Sequence, residues 1–280
     1  MELKVMEWNI NSSGRQYFST IGSKETSIPD WIIDKIPDDI NIVVFTEFNS
    51  HAQNIEDFYS KLKSKGFTRC CSTEYECLWA NDILIAIRGE QIIVTDSKQV
   101  DAYPNSSKTD NFDDIPDNMR VDIRINEKDI HIWGIRIKDL KSNYKKRNNE
   151  MCKVMEWLEE AGGTSVILGD FNNLRENTTE KEWNLSVLDD KLGKLFERET
   201  PLNHSWGVSL SLSSEEFDGY IKNDHLIHSK ELDAVVKPYE WEFLKQHCNY
   251  KLEKPYNGKR KLIIPDCEPD HGILIGSVII

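Results

Sequence analysis

Cysteine pairs, long apolar runs and positive charge are all scarce in this chain. Its 280 residues include six cysteines, and no two of them form a Cys-x-x-Cys pair. This spacing argues against structural zinc, and a chain of this size does not need a disulfide framework, so reduced thiols in a cytoplasm fit best. No apolar run approaches the length of a bilayer span, and Met1 opens directly into a strand-like segment. We therefore expect no signal peptide, no transmembrane anchor and a cytoplasmic location.

The shortage of positive charge limits the possible partners. The net charge of -13 argues against a broad electropositive face for nucleic acid. It does not exclude a nucleic-acid enzyme, because carboxylates that bind a divalent metal raise the negative count and are neutralised by the ion. Five basic residues nevertheless cluster between Lys138 and Arg147. A solvated loop and helix start is the first interpretation of this cluster, and contact with a phosphate backbone is the second.

Apolar runs typical of strands alternate with helical patterns along the whole chain. The strand-like runs are Leu3–Trp8, Ile42–Thr46, Ile83–Arg88, Ile92–Thr95, Val121–Ile125, Ile130–Ile137, Val166–Leu168, His225–His228 and Ile273–Ile280. The helical patterns cover residues 29–36, Ile55–Lys65, Asn148–Ala161 and Lys181–Phe196. There is no internal repeat or low-complexity linker, and the polar motifs run from residue 9 to residue 271. One site built from these motifs would need the whole chain, so we predict a single domain over residues 1–280.

The most informative segment is the one that ends the run Val166–Leu168. Gly169 permits a sharp exit from this buried strand, and Asp170 and Asn172 follow at once. A strand end holds side chains on a rigid frame, so a carboxylate and a carboxamide two residues apart can face one point. An ordinary turn would use the same residue types, and this segment alone favours neither interpretation.

Other apolar runs also begin or end on acids, amides or histidine. Asn9 and Glu47 follow the first two runs, Asp224 opens the run at His225, and the pair Asp270-His271 precedes the last one. Carboxylates and carboxamides suit hard divalent cations, and they orient water and phosphate oxygens. A histidine held by a carboxylate has a fixed tautomer and can carry out acid–base chemistry.

These segments together resemble the endonuclease/exonuclease/phosphatase superfamily, which contains the DNase I-like nucleases. The resemblance lies in five motifs that occur in the family's order and span nearly the entire chain: Trp8-Asn9, Thr46-Glu47, Gly169-Asp170-Phe171-Asn172, Asn223-Asp224-His225 and Asp270-His271. The resemblance implies an α/β (α+β) fold, a four-layer sandwich of two packed mixed or antiparallel β-sheets flanked by helices. The site is expected at one end of this sandwich.

The resemblance also implies metal-assisted hydrolysis of a phosphoester by water, with Mg²⁺ (or Mn²⁺) as the cofactor. Glu47 matches the principal metal ligand, and Asn9 and Asp270 are expected near the metal or its waters. The four residues that match the catalytic positions are Asp170, which orients or deprotonates water, Asn172, which stabilises the phosphate, His271, which lies near the scissile phosphate, and Asp224, which pairs with the histidine.

Two arginines and Asn9 are the candidate substrate-binding residues. Arg120 lies where many relatives carry a phosphate-contacting arginine, although its alternation with Arg124 also fits a solvent-facing strand. Arg136 lies in Gly134-Ile135-Arg136-Ile137, where many relatives read Gly-Val-His-Leu. Arginine donates to phosphate bidentately but does not shuttle a proton near neutral pH. This departure is compatible with phosphate binding without acid catalysis, with a different ester, or with weakened activity.

Three functions fit these residues. The leading hypothesis is a nuclease that cleaves DNA or RNA phosphodiesters, with nucleic acid as the partner. The second is a phosphatase or phosphodiesterase for small molecules or lipid headgroups. The third is a catalytically silent binding protein, against which the retained acids, amides and histidine argue.

Overall fold

Two six-stranded sheets form the centre of the protein. The structure is a computed structural model, and it describes residues 1–12, 27–74, 81–100, 115–138, 144–173, 183–205, 222–248, 251–253, 261–263 and 268–280. The first sheet consists of β1 (Glu2–Asn9), β2 (Ile42–Phe48), β3 (Arg69–Ser72), β4 (Asp82–Ile87), β11 (Asp233–Val236) and β14 (Leu274–Ile279). The second consists of β5 (Ile93–Lys98), β6 (Asp117–Ile125), β7 (Lys128–Arg136), β8 (Thr164–Asp170), β9 (Phe196–Glu199) and β10 (Asp224–Ser229). A third sheet pairs β12 (Lys251–Glu253) with β13 (Lys261–Ile263).

Each large sheet contains one parallel pair among antiparallel neighbours. In space the first sheet runs β11-β14-β1-β2-β4-β3, and the second runs β5-β6-β7-β8-β10-β9. The parallel pairs are β1 with β2 and β7 with β8, which lie near the middle of their sheets. Parallel neighbours bring their carboxyl ends to the same sheet edge, and this fixes where the polar strand ends meet.

Helices cover the outer face of each sheet. The helices are α1 (Trp31–Asp34), α2 (Ile55–Ser64), α3 (Tyr144–Ala161), α4 (Leu185–Leu192) and α5 (Glu242–His247). Apolar residues of α1, α2 and α5 pack with one face of the first sheet, and those of α3 and α4 pack with the second. The predicted four-layer sandwich of two mixed sheets flanked by helices is confirmed.

Alternation along the strands builds the core between the sheets. Leu3 and Val5 of β1 face the second sheet, whereas Met6 and Trp8 face the helices. The sheets approach closely at Gly134 of β7, where a Cβ atom would lie 2.6 Å from a side-chain carbon of Ile83 in the opposite sheet. Polar residues that continue this alternation at the end of a strand therefore also face the space between the sheets.

Several strands and helices differ from the sequence expectations. The helix predicted over 181–196 is confirmed only as α4, because Gly193 has a φ of 60° and stops it before β9 begins at Phe196. Positive φ suits glycine and ends helices, and residues 181–182 lie outside the described part of the chain. The pattern also misses six short elements with few apolar residues each: β3, β9, β11, β12, β13 and α5.

Two further observations concern membranes and thiols. Within the described ranges, no helix is long and apolar enough to pass through a bilayer. Cys70, Cys71, Cys152 and Cys248 are free. Cys77 and Cys267 lie outside the described residues.

Candidate active site

Polar strand ends from both sheets meet at one end of the sandwich. Asn9 ends β1 and Glu47 lies near the end of β2, while Arg136 ends β7 and Asp170 ends β8. Asn9, Arg136 and Asp170 continue the inward-facing positions of their strands, so their side chains enter the space between the sheets. The structure thus brings together predicted residues that are far apart in the sequence.

Asp170 is fixed by three donors. Its Oδ1 accepts the backbone N–H of Asn172 at 2.8 Å, and its Oδ2 accepts the side-chain amides of Asn9 at 2.9 Å and Asn172 at 3.1 Å. Burial raises the pKa of Asp170 to about 7, with the Asp224 and Glu47 carboxylates adding to the rise and His271 and Arg136 opposing it. A carboxylate with this pKa can both hold a water molecule and accept a proton near neutral pH.

Asn172 is positioned by its own backbone and by a basic residue. Its φ is 46°, a left-handed conformation that asparagine tolerates better than most residues. Its side-chain amide also donates to the carbonyl of Ile137 at 2.6 Å, and Arg147 donates to the carbonyl of Asn172 at 2.6 Å. Arg147 is buried here, as is Lys138, so part of the basic cluster is structural. Lys141 of that cluster lies outside the described residues.

Asp224 and His271 form a buried pair beside Asp170. Asp224 lies directly opposite Asp170 in the antiparallel pairing of β10 with β8. The Nδ1 atom of His271 lies 2.8 Å from Oδ2 and 3.1 Å from Oδ1 of Asp224. Burial lowers the pKa of His271, but the carboxylates of Asp224, Asp170 and Asp270 outweigh burial and hold that pKa well above its usual value. The imidazole is therefore a cation in a cluster of acids.

Asp270 lies at the border of this cluster. Its Oδ1 is 3.9 Å from Nε2 of His271, beyond hydrogen-bond distance. The backbone of His271 is fixed separately, because its carbonyl accepts the indole N–H of Trp8 at 2.9 Å. Trp8 thus holds the turn that carries both motif residues next to the end of β1.

Glu47 reaches the site through an irregularity in β2. The pairing of β2 with β4 shifts between Phe45 and Phe48, and Glu47 has a φ of 49°. Such a bulge turns a side chain that strict alternation would point to the other face. Burial raises the pKa of Glu47, but Arg136 and His271, with hydrogen bonds from Asn9 and Arg136, lower it below its usual value. Glu47 is therefore an ionised carboxylate that faces the end of the second sheet.

Arg136 bridges two acids. Its Nε and Nη2 lie 2.9 and 2.7 Å from Oε1 of Glu47, and its Nη1 lies 3.2 Å from Oδ2 of Asp117. Burial lowers the pKa of Arg136, but the carboxylates of Glu47, Asp117 and Asp170 outweigh burial and raise it. Asp117 itself is fully buried at the start of β6. The guanidinium thus joins the two sheets at the site.

Arg120 is the predicted site residue that the structure does not bring to this cluster. Its side chain pairs with Asp122 at 2.6 and 2.8 Å and lies 3.0 Å from Nδ1 of His131. It also lies over the ring of Trp133, which packs with the helices outside the second sheet. Met119 and Val121 face the core between the sheets, so Arg120 between them points to the opposite face.

Two buried acids at the site have no counterpart in the motif analysis. Asp117 lies opposite Arg136 in the pairing of β6 with β7, and the two-residue turn Asn126-Glu127 sets that register. Counting back from this turn would have found Asp117. Glu7 is fully buried on the inward face of β1, two residues before Asn9, and accepts a hydrogen bond from Thr46 at 3.1 Å. Glu7 and Asn9 lie two residues apart on β1, so strand alternation predicts that both side chains point to the same face.

The donor set fits a divalent cation. Ligand atoms of Asp170, Asp224 and His271 lie within 4.8 Å of one another, and all three residues are buried. Because His271 is protonated and paired with Asp224, the carboxylates of this group, and not the imidazole, are the atoms that suit a cation. Asn9 connects Glu47 to this group, because its side chain forms hydrogen bonds with both Asp170 and Glu47. Hard cations such as Mg²⁺ prefer carboxylate and carboxamide oxygens, and several carboxylates gathered in one buried place favour a positive ion.

Comparisons with known proteins bear on the fold. No protein-family model matches the chain, and no curated protein matches it. An endonuclease/exonuclease/phosphatase from Bacteroides vulgatus is 11% identical with a TM-score of 0.62, over 100% of this chain and 99% of the other. A mannosyl-6-phosphatase from Bacteroides thetaiotaomicron is 10% identical with a TM-score of 0.57, over 99% of this chain and 100% of the other.

A third solved structure is that of TDP2 from D. rerio, complexed with single strand DNA product. It is 10% identical to this chain with a TM-score of 0.56, and the match covers 100% of this chain and 99% of the other. At identities this low, the likeness shows the fold. The resemblance drawn from the five motifs is confirmed at that level: the chain has the DNase I-like fold of the endonuclease/exonuclease/phosphatase superfamily.

Proposed function

We propose that this protein is a phosphoesterase that uses a divalent cation, Mg²⁺ (or Mn²⁺), and that it acts as a nuclease on DNA or RNA phosphodiesters. One observation carries the proposal. Asp170, Asp224 and His271 converge in one buried cluster, and Asn9 connects this cluster to Glu47 on the other sheet. An acid with a pKa near neutral pH, a histidine–carboxylate pair and an ionised acid can together serve as the base, the cationic group and the metal ligand in the hydrolysis of a phosphoester by water.

Glu47 would hold the cation, with Asn9 and Asp270 close to the ion or its waters. When bound, the ion neutralises negative charge on the phosphate and lowers the pKa of coordinated water. Asp170 orients the attacking water and accepts its proton, since its pKa is about 7 and three donors fix both of its oxygens. Asn172 donates its side-chain amide to Asp170 at 3.1 Å and to the carbonyl of Ile137 at 2.6 Å, so in this proposal it acts on the phosphate by positioning Asp170.

His271 stabilises the negative charge that develops on the phosphate in the transition state. Its pKa is raised well above the usual value, so it carries a positive charge and a proton to donate. Asp224 accepts from its Nδ1 at 2.8 Å and thereby leaves Nε2 for the substrate. Arg136 supplies positive charge without proton transfer, in line with phosphate binding in the absence of acid catalysis.

Three observations bear on the substrate. A solved structure with this fold is a complex with single strand DNA product, which supports the nuclease. A phosphomonoesterase is the second candidate, because another protein with this fold is a mannosyl-6-phosphatase and because a net charge of -13 suits a small anionic substrate bound in one pocket better than a long polyanion. A lipid headgroup is a further variant of this second candidate. The cytoplasmic location stays a prediction.

The test is a substrate panel with matched variants. Purified protein is incubated with plasmid, single-stranded DNA, RNA and a set of phosphomonoesters, with Mg²⁺, Mn²⁺ or chelator. We expect nicking that requires the metal and falls by about 10³-fold or more in Asp170→Ala, because the water loses its base. Asp129→Ala removes an exposed carboxylate from the same sheet and should leave the rate unchanged.

The outcomes separate the candidates. Release of phosphate from monoesters without cleavage of nucleic acid rejects the nuclease and supports the second candidate. Absence of hydrolysis with every substrate and metal rejects the phosphoesterase itself. Full activity in the presence of chelator rejects the role of the cation.

A further inference from the structure

Arg136 lies against the carboxylate that the proposed function assigns to the cation. Its Nε and Nη2 atoms approach the same oxygen, Oε1 of Glu47, at 2.9 and 2.7 Å. Asn9 donates a further hydrogen bond to this carboxylate. A cation that arrives at Glu47 therefore meets a carboxylate that the protein has already neutralised and hydrogen-bonded.

A second acid keeps Arg136 in this place. Asp117 accepts from Nη1 of Arg136 at 3.2 Å and from the backbone N–H of Asn81 at 3.1 Å. Asp117 is fully buried and Arg136 is only 8% exposed. A guanidinium does not lose its proton in proteins, and a buried one needs carboxylate partners. The site thus contains a permanent positive charge at its centre.

We propose that Arg136 is an internal competitor of the divalent cation, which binds only when it displaces the guanidinium from Oε1 of Glu47. The inference rests on the proposed function, because that function assigns the cation to Glu47. Two positive charges that share one carboxylate repel each other, so the arginine weakens cation binding. Arg136 therefore sets the cation concentration at which the site becomes complete, and Asp117 holds the guanidinium within reach of Glu47 when the cation leaves.

The first experiment measures Mn²⁺ affinity of the full chain by isothermal titration calorimetry without substrate. We expect Arg136→Gln to bind Mn²⁺ at least about tenfold more tightly than the wild type, because one competing charge is gone. Arg124→Gln is the matched control, since it removes the same charge from an exposed pair with Asp129 near the other end of β6. Its affinity should equal that of the wild type. An affinity of Arg136→Gln equal to or weaker than that of the wild type overturns the proposal.

A double-mutant cycle tests whether the competition concerns Glu47 itself. The gain from Arg136→Gln should disappear in the Glu47→Gln background, because the contested carboxylate is then absent. A gain of the same size in that background assigns the effect to general electrostatics and overturns the competition for Oε1.

The wild type provides a measurement that does not depend on a variant that folds. The Nε–H signal of Arg136 is followed by NMR, and its exchange with water is compared without Mg²⁺ and with saturating Mg²⁺. Displacement from Glu47 breaks its hydrogen bond, so we expect exchange to accelerate severalfold. Unchanged exchange overturns the proposal. Since none of these experiments contains substrate, they can fail while hydrolysis is observed, and hydrolysis can be absent while they succeed.

Discussion

Buried carboxyl groups at this end of the sandwich differ in how readily they ionise, because their neighbours differ. Glu47 is ionised beside Arg136, whereas Glu7 has a pKa raised well above its usual value by burial and by the Asp224 and Asp170 carboxylates. Thr46 donates to Oε1 of Glu7, and Oε2 has no hydrogen-bond partner among the described residues. A carboxyl group that ionises less readily adds less repulsion to Asp170 and Asp224 beside it.

Glu150 of α3 gives the clearest pH prediction. Its side chain is fully buried, and burial, with a contribution from Asp117, raises its pKa to about 8 against the opposing effect of Lys138 and Arg136. The usual value is 4.5, so between these two pH values the unfolded chain releases the proton and the folded chain keeps it. The free energy of unfolding then decreases as pH rises through this window, by up to about 1.4 kcal/mol per pH unit.

Replacement of Glu150 by glutamine removes this pH-dependent loss of stability, because an amide does not titrate. We expect the free energy of unfolding of Glu150→Gln, relative to that of the wild type, to increase as pH rises from about 5 to about 8 and to change little above that. Urea denaturation at several pH values measures it, with the exposed Glu160→Gln on the same helix as the control. A difference between wild type and Glu150→Gln that stays constant with pH would contradict the assignment.

Strand geometry decides how well the site tolerates change at Gly169. A Cβ atom there would lie 1.8 Å from the carbonyl oxygen of Ile135 in the neighbouring strand β7. Backbone cannot move aside as a side chain does, so Gly169→Ala forces β7 and β8 apart just before Arg136 and Asp170. We expect a loss of about 3 kcal/mol in unfolding free energy, together with most of the activity.

Gly134→Ala is the comparison for this substitution. Its Cβ would meet side-chain carbons of Ile83 at 2.6 Å and Val44 at 3.0 Å, which can shift. Urea denaturation of both variants should rank Gly169→Ala as the less stable. The reverse order would mean that the strand pair is more adaptable than the structure indicates.

The same elements explain what the sequence could predict. Apolar alternation identified the central strands, and the residues at their ends were found because inward positions continue into the site. The apolar pattern did not predict short edge strands such as β3, because an edge strand needs few apolar residues. The sequence also did not predict the pairing of Arg136 with Glu47, because this pair joins two sheets. It depends on how the sheets pack and on the bulge at Glu47, and a strand pattern contains neither.

At the scale of the whole molecule, the two sheets contribute comparable numbers of site residues. Asn9 and Glu47 come from the first sheet, and Arg136, Asp170 and Asp224 from the second. Because neither sheet alone holds both the proposed cation ligand and the proposed base, we propose that residues 1–280 act as one domain. Separation of the sheets would abolish the site before any single motif is lost.

The overall charge leads to a prediction that distinguishes the two candidate substrates. With a net charge of -13, the protein holds a polyanion only through a few local phosphate contacts, and each such contact releases counterions. We expect KM for plasmid nicking to rise severalfold between about 50 and about 200 mM salt, while kcat changes little. The value of kcat/KM for a small phosphomonoester should change much less, because fewer counterions are released. Steady-state kinetics at several KCl concentrations, with the Mg²⁺ concentration fixed, measures both. A nicking KM that is independent of salt would mean that cleavage does not depend on contacts to the nucleic-acid backbone, and the nuclease proposal would lose its electrostatic basis.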